Sequence, residues 1–137
     1  MGYTTDFIGH IDIHPPLNQA EQMYLHAFAQ SRRYARPGGA YDVPRNPAAD
    51  GQRPVHDVDA YNTVAPGQPS LWCQWVPCWD GCCLSHDGIE KFYAATDWMS
   101  YLIDHFLAPT ALARNSGLEW FTEFTFDHRL DGVIAAR

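Results

Sequence analysis

The chain has 137 residues, 46% of them hydrophobic and 14% aromatic, which suits one folded domain and excludes an intrinsically disordered chain. Sixteen acidic residues face nine basic ones, eight arginines and Lys91, for a formal charge of −7, so a general binder of nucleic acid phosphates is not expected. No apolar run approaches the roughly 20 residues that span a bilayer. Met1 to Ile13 alternates polar and apolar side chains where a secretory leader needs a continuous apolar run. Together these features predict a cytoplasmic protein with no membrane contact, whose four cysteines are reduced or metal-bound rather than disulfide-bonded.

Tyr3, Thr5, Phe7, Gly9, Ile11 and Ile13 share one face of a period-two pattern, and Asp6, Ile8, His10, Asp12 and His14 the other, which predicts a half-buried strand ending at Pro15-Pro16. Asn18 followed by Glu21 gives a capping box, and Tyr24, Leu25, Ala27, Phe28 and Ser31 form an apolar stripe for a helix over residues 19–33. Arg32 and Arg33 would then complement its C-terminal dipole. Residues 34–70 are rich in Pro, Gly, Asp and Asn, so neither a long helix nor a central strand is expected there. Tyr34, Tyr41, Val43, Val55, Val58 and Tyr61 are anchors for a loop packed across the body.

Trp72 to Leu84 reads as a hairpin turning near Trp79-Asp80-Gly81. Phe92, Ala95, Thr96, Met99, Leu102, Ile103 and Phe106 predict a second helix over residues 89–107, stopped by Pro109. Alternation of Trp120, Thr122, Phe124 and Phe126 with Phe121, Glu123, Thr125 and Asp127 predicts a further strand. Residues 129–132 would turn the chain into a short, exposed last strand over 133–136. The resulting order, β-α-(long loop)-β-β-α-β-β, predicts an α+β fold: an antiparallel sheet with both helices on one face, a ferredoxin-like variant.

The segments Gly2-Tyr3-Thr4-Thr5-Asp6-Phe7, Pro66-Gly67-Gln68-Pro69-Ser70-Leu71-Trp72-Cys73-Gln74-Trp75-Val76-Pro77 and Glu90-Lys91-Phe92-Tyr93 together resemble a family of small hypothetical proteins of actinobacteria and of bacteriophages or prophages. The resemblance implies a phage or mobile-element setting and a host-interaction or anti-defence role, and it carries over no catalytic residue.

Four constellations could carry chemistry. Cys78, Cys82, Cys83 and His86 lie within nine residues, and a hairpin turn can converge such ligands on tetrahedral zinc; the alternative is a set of small buried side chains. His10, Asp12 and His14 alternate along one strand face, as a metal or acid-base group requires and as a solvated face also allows. Cys73 with His86, His105 or His128 and Asp127 contains the residue types of a nucleophilic triad, although a strand interior favours packing for Cys73. The aromatic content points to an interface or a planar-ligand pocket built on Trp72, Trp75, Trp98 and Tyr101, with Arg32, Arg33, Arg36 and Arg129 available for an anionic group.

The reading that follows is a non-enzymatic binding protein without a required cofactor. It would hold a protein partner or a small planar or anionic ligand under the 34–70 loop, and could dimerise through an aromatic face or the last strand. A zinc-stabilised protein or zinc enzyme using the cysteine cluster is the alternative, and a structural or virion-associated module is a third.

Overall fold

A computed structural model describes residues 7–8, 10–36, 38–43, 59, 62–86, 94–132 and 135–136. In chain order the elements are β1 (Phe7–Ile8), β2 (Ile11–His14), α1 (Gln19–Ala29), β3 (Trp75–Pro77), β4 (Cys83–His86), α2 (Ala95–Leu102), β5 (Arg129–Asp131) and β6 (Ala135–Ala136). A π-helical turn, Ile103–Leu107, continues α2, and two 3-10 turns, Leu112–Asn115 and Glu119–Phe121, lead on toward β5.

Four strands form an antiparallel sheet in the spatial order β3-β4-β2-β5. The strands joined through α1, β2 and β3, are separated by β4, and those joined through α2, β4 and β5, are separated by β2. This interleaving is the ferredoxin-like arrangement that the order of elements predicts. Ile13, Leu84 and Trp75 enter one continuous core with Tyr24, Leu25 and Phe28 of α1 and Trp98, Tyr101 and Leu102 of α2, so both helices cover the same sheet face.

The first strand is interrupted. β1 pairs with β6, Phe7 opposite Ala136, in the register that β2 keeps with β5, Asp12 opposite Asp131. One long ladder is thus broken where Gly132 meets His10. Gly132 has φ +146, and a Cβ there would lie 2.9 Å from the His10 carbonyl oxygen, so only glycine fits this approach. The last strand is partnered by β1 rather than bare, and the start of the first strand, residues 3–6, lies outside the described residues.

The capping box closes as its spacing predicts: Glu21 N–H donates to Asn18 Oδ1 and Asn18 N–H to Glu21 Oε1, both at 2.8 Å. The helix stops at Ala29, short of Arg33. There the Ser31 hydroxyl donates back to the Ala27 carbonyl at 2.8 Å, offering the chain an alternative to the helical ladder. Arg33 is consequently not a dipole partner at a helix end. Its side chain is buried and its guanidinium donates to the carbonyls of Ser31, Ala40 and Asp42 and to the Ser31 hydroxyl, above the Phe28 ring. Its backbone joins the same clamp, since Arg33 N–H donates to Leu71 O and Ala65 N–H to Arg33 O. The described parts of the 34–70 segment therefore pack on the body, as expected, and Val43 and Ala65 are buried; the anchors Val55, Val58 and Tyr61 lie outside the described residues.

Two expected elements differ. Of the second helix, residues 89–93 lie outside the described residues, and α2 begins at Ala95 after Ala94 in the left-handed region at φ 61. Its buried face is Trp98, Tyr101 and Leu102, with Thr96 exposed, because Ser70 and Gln68 of the preceding loop supply polar partners for the Trp98 and Tyr101 heads. The strand expected near residues 120–127 is instead a 3-10 turn followed by irregular chain, and the turn expected at 129–132 contains β5. Phe121, Phe124 and Phe126 all reach the core, a three-then-two spacing that a strand cannot provide.

Arg33→Lys keeps the charge but loses the planar fork that serves several acceptors at once. It should lower the unfolding free energy by about 2–3 kcal/mol in urea denaturation. A loss below about 0.5 kcal/mol, the range of an ordinary surface change, would show that the clamp does not hold the loop.

Candidate functional site

The fold takes apart the expected ligand cluster. Trp75, Trp98 and Tyr101 are core residues: Trp75 Nε1 donates to Ala95 O at 2.8 Å, Trp98 Nε1 to Ser70 Oγ at 2.7 Å, and Tyr101 Oη accepts from Gln68 Nε2 at 3.2 Å. Of the six, only Trp72 and Arg32 meet at the surface, the guanidinium 5.2 Å from the ring centroid, with Arg32 Nη1 donating to Asn62 Oδ1 at 3.0 Å. Arg129 lies opposite His14 on β5, the edge of the sheet farthest from the β3 edge against which α1 packs. Arg36 is buried, its Nε donating to Arg32 O at 2.8 Å.

The cysteine expectation is corrected in one respect. Cys78 and Cys83 form a disulfide across the hairpin turn instead of remaining reduced, because the turn brings their Cα atoms to 5.4 Å, within the range a disulfide needs. Cys82 is free and exposed, and the ring of His86, on β4, faces Trp75 of β3. Two of the four zinc candidates are thereby bonded to each other. Among the described residues, no group of three His, Cys, Asp or Glu side chains is placed to hold a metal ion. His10 and Asp12 pair at 3.1 Å, both half exposed, with His14 exposed beyond them. Cys73 is completely buried, so no substrate reaches its sulfur.

Two further histidines, His128 and His105, are set by their surroundings in opposite directions. His128, buried at the C-terminal end of the aromatic run, places Nε2 2.7 Å from Glu21 Oε2 and Nδ1 2.6 Å from the Pro15 carbonyl. Burial would raise the Glu21 carboxyl, but the His128 hydrogen bond, the Asn18 N–H and the His128 charge outweigh it and hold it low. Burial would likewise lower His128, but Glu21 and the Pro15 carbonyl outweigh it and raise the imidazole. The result is a charged buried pair that fastens the start of α1 to the C-terminal segment; Thr125 N–H also donates to Glu21 at 3.3 Å, and Asn18 Nδ2 to Glu123 O at 2.8 Å. Its enclosure makes it a fastener and not a reaction centre. His105 stacks on Tyr101 with ring centroids 3.8 Å apart and places Nδ1 2.5 Å from Tyr41 Oη. Burial lowers its pKa against the opposing charge of Asp104.

The open site lies elsewhere, along the outer face of α1. The helix turns Tyr24, Leu25 and Phe28 inward, so Gln19, Gln22, Met23, His26 and Gln30 recur at helical spacing on the opposite side. Trp79 rises from the hairpin turn on the Gln22 side, and Trp120 stands beside Tyr24 on the other, ring centroids 6.1 Å apart. They line one groove, with a volume of about 930 Å³, together with Ala20, Ala27, Val43 and Glu119. Met23 is 66% exposed, Trp79 90% and Trp120 37%. The sequence places Trp79 in a turn and Trp120 in a strand-like alternation, and gives Met23 no role. The available signal was Met23 on the polar side of the helical wheel and Trp79 at the tip of an Asp-Gly turn.

No protein-family model matches the chain, and no curated protein and no solved structure matches it. Among the described residues no helix is long and apolar enough to cross a membrane.

The Glu21–His128 pair has a defined pH signature. Glu21, ordinarily near 4.5 and lowered here, contributes stability that is complete above that value and lost as pH falls through its folded pKa. His128, ordinarily near 6.5 and raised here, contributes stability that is complete below that value and lost as pH rises through its folded pKa. The pair should therefore contribute most between pH 4.5 and 6.5. His128→Gln should cost about 3 kcal/mol in that window, with the difference from wild type shrinking as pH rises. A difference that stays constant with pH would contradict a charged pair. In the same protein, NMR titration should find His105 titrating below and His128 above the ordinary histidine value of 6.5; the reverse order would contradict both environments.

Proposed function

We propose that the protein is a non-enzymatic binding protein whose groove along α1 takes an apolar segment of a protein partner. The observation that carries this reading is the convergence of three large exposed apolar side chains, Met23, Trp79 and Trp120, on one groove. Large apolar side chains exposed singly are ordinary, but three rimmed by polar residues on one concave surface are what a recognition site needs. The side chains of Gln19, Gln22 and Gln30 each carry both a donor and an acceptor, suiting them to peptide backbone groups at the rim. Glu119 is the one carboxylate among the described lining residues, in a chain with net charge −7, which favours a neutral or weakly basic apolar segment.

Nucleic acid is not the partner in this reading. The sheet face away from the helices carries Asp12 and Asp131 from adjacent strands, charges that repel phosphates. The protein is taken to act in the cytoplasm, and in the phage or mobile-element setting that the family resemblance implies, the partner would be a host protein.

Selection of a displayed random peptide library against the purified protein should enrich peptides with apolar anchors. Trp79→Ala and Met23→Ala should each weaken the selected peptide at least roughly tenfold by fluorescence anisotropy, the scale of an interface anchor. Trp72→Ala, outside the groove, should leave its affinity unchanged. Failure to enrich any peptide, or equal binding by all variants, would sink the reading.

A further inference from the structure

One wall of the groove is built on a cystine. Trp79 sits in the turn enclosed by the Cys78–Cys83 disulfide, where Gly81 N–H donates to Cys78 O and Cys78 N–H donates to Cys83 O, each at 2.8 Å. The turn is pinned beside the start of α1: Leu17 N–H donates to Gly81 O at 2.9 Å, and Ile13 N–H donates to Cys82 O at 2.8 Å. The fit leaves no room for a side chain, since Gly81 has φ +77 and a Cβ on it would lie 2.5 Å from Leu17 O. Trp79 is 90% exposed, so its position follows from this frame rather than from packing around the ring. Cys78 is partly exposed, which gives a small thiol a route to the bond. A disulfide in a cytoplasmic protein is ordinarily transient or redox-sensing rather than a permanent staple.

We propose that the Cys78–Cys83 disulfide is a redox latch on the groove: closed, it presents Trp79 to the partner; opened by a glutathione-class thiol, it releases the wall. The proposal rests on the partner-binding reading of the groove and adds its regulation. Opening breaks the single S–S bond. Two molecules of the small thiol supply two electrons and two protons, Cys78 and Cys83 become thiols, and the donor leaves as its own disulfide. Cys82 does not take part. Its backbone N–H donates to Asp80 Oδ1 at 3.2 Å, and the Asp80 side chain beside it pushes the thiol's pKa up, which disfavours the attacking thiolate. Once the ring is open, the freedom of the turn must be removed on binding, and affinity falls by that amount.

The test compares a peptide selected on the oxidised protein for its affinity to four forms: oxidised wild type, wild type reduced by a phosphine, Cys82→Ser, and the double variant Cys78→Ser with Cys83→Ser. Reduction should weaken binding roughly tenfold, reoxidation should restore it, and the double variant should bind weakly under both conditions. Cys82→Ser should behave as wild type. If the double variant does not fold, the reduction and reoxidation cycle of the wild type carries the test alone. Equal affinity of the oxidised and reduced forms, with Trp79→Ala still weakening the peptide, would overturn the latch and leave the groove standing. Loss of the Trp79→Ala effect would overturn the groove reading and the latch with it.

Discussion

Glu21 is the constraint on which the arrangement depends. One of its oxygens completes the capping box that starts α1, and the other accepts from His128 and from the Thr125 backbone. A carboxylate buried this deeply would be costly alone, and removing either partner would leave an uncompensated charge. Because the same side chain serves the helix start and the C-terminal segment, α1 cannot form in place without drawing residues 118–128 against it. That contact sets Phe121 and Phe124 around Tyr24 and leaves Trp120 at the helix edge. The groove's second wall is therefore a by-product of the helix's own capping chemistry.

The first wall is fixed by different means. The hairpin turn docks through hydrogen bonds from Leu17 N–H to Gly81 O and from Ile13 N–H to Cys82 O, and through a glycine too close to the Leu17 backbone to be anything else. Between the two walls, the outer stripe of α1 remains open, since the inner stripe is consumed by a core in which Phe28, Trp98 and Phe106 are completely buried. The division of labour across one helix explains why the groove lining combines amide and apolar side chains. The inner face meets the demand for burial, and the outer face is free to carry Met23.

Much of this was legible in the amino-acid order. The Asn18–Glu21 box, the helix behind it and the Asp-Gly turn follow from local chemistry, each with its partner within a few residues, and the order of elements carries the interleaved α+β sheet. The rest depends on contacts distant in sequence. Nothing near Arg33 announces that its guanidinium would serve carbonyls of residues 40 and 42, nor does the spacing of Trp98 and Tyr101 say that Ser70 and Gln68 would draw them inward. The run from Trp120 to Asp127 alternates convincingly, yet Phe121, Phe124 and Phe126 are the residues that the core takes. The site suffered most. Aromatic content points to Trp72, Trp75, Trp98 and Tyr101, but a groove needs large side chains left exposed by the packing of others, which only the assembled helix and turn decide.

The central claim is that Trp79 and Trp120 face an incoming partner while Trp75 and Trp98 serve the core. The most direct measurement is NMR of the indole N–H signals during titration with a groove-selected peptide. The signals of Trp79 and Trp120 should shift or broaden, and those of Trp75 and Trp98, bonded to Ala95 O and Ser70 Oγ, should stay in place. Movement confined to Trp72, or uniform movement of all five tryptophans, would contradict the account and put the recognition surface elsewhere.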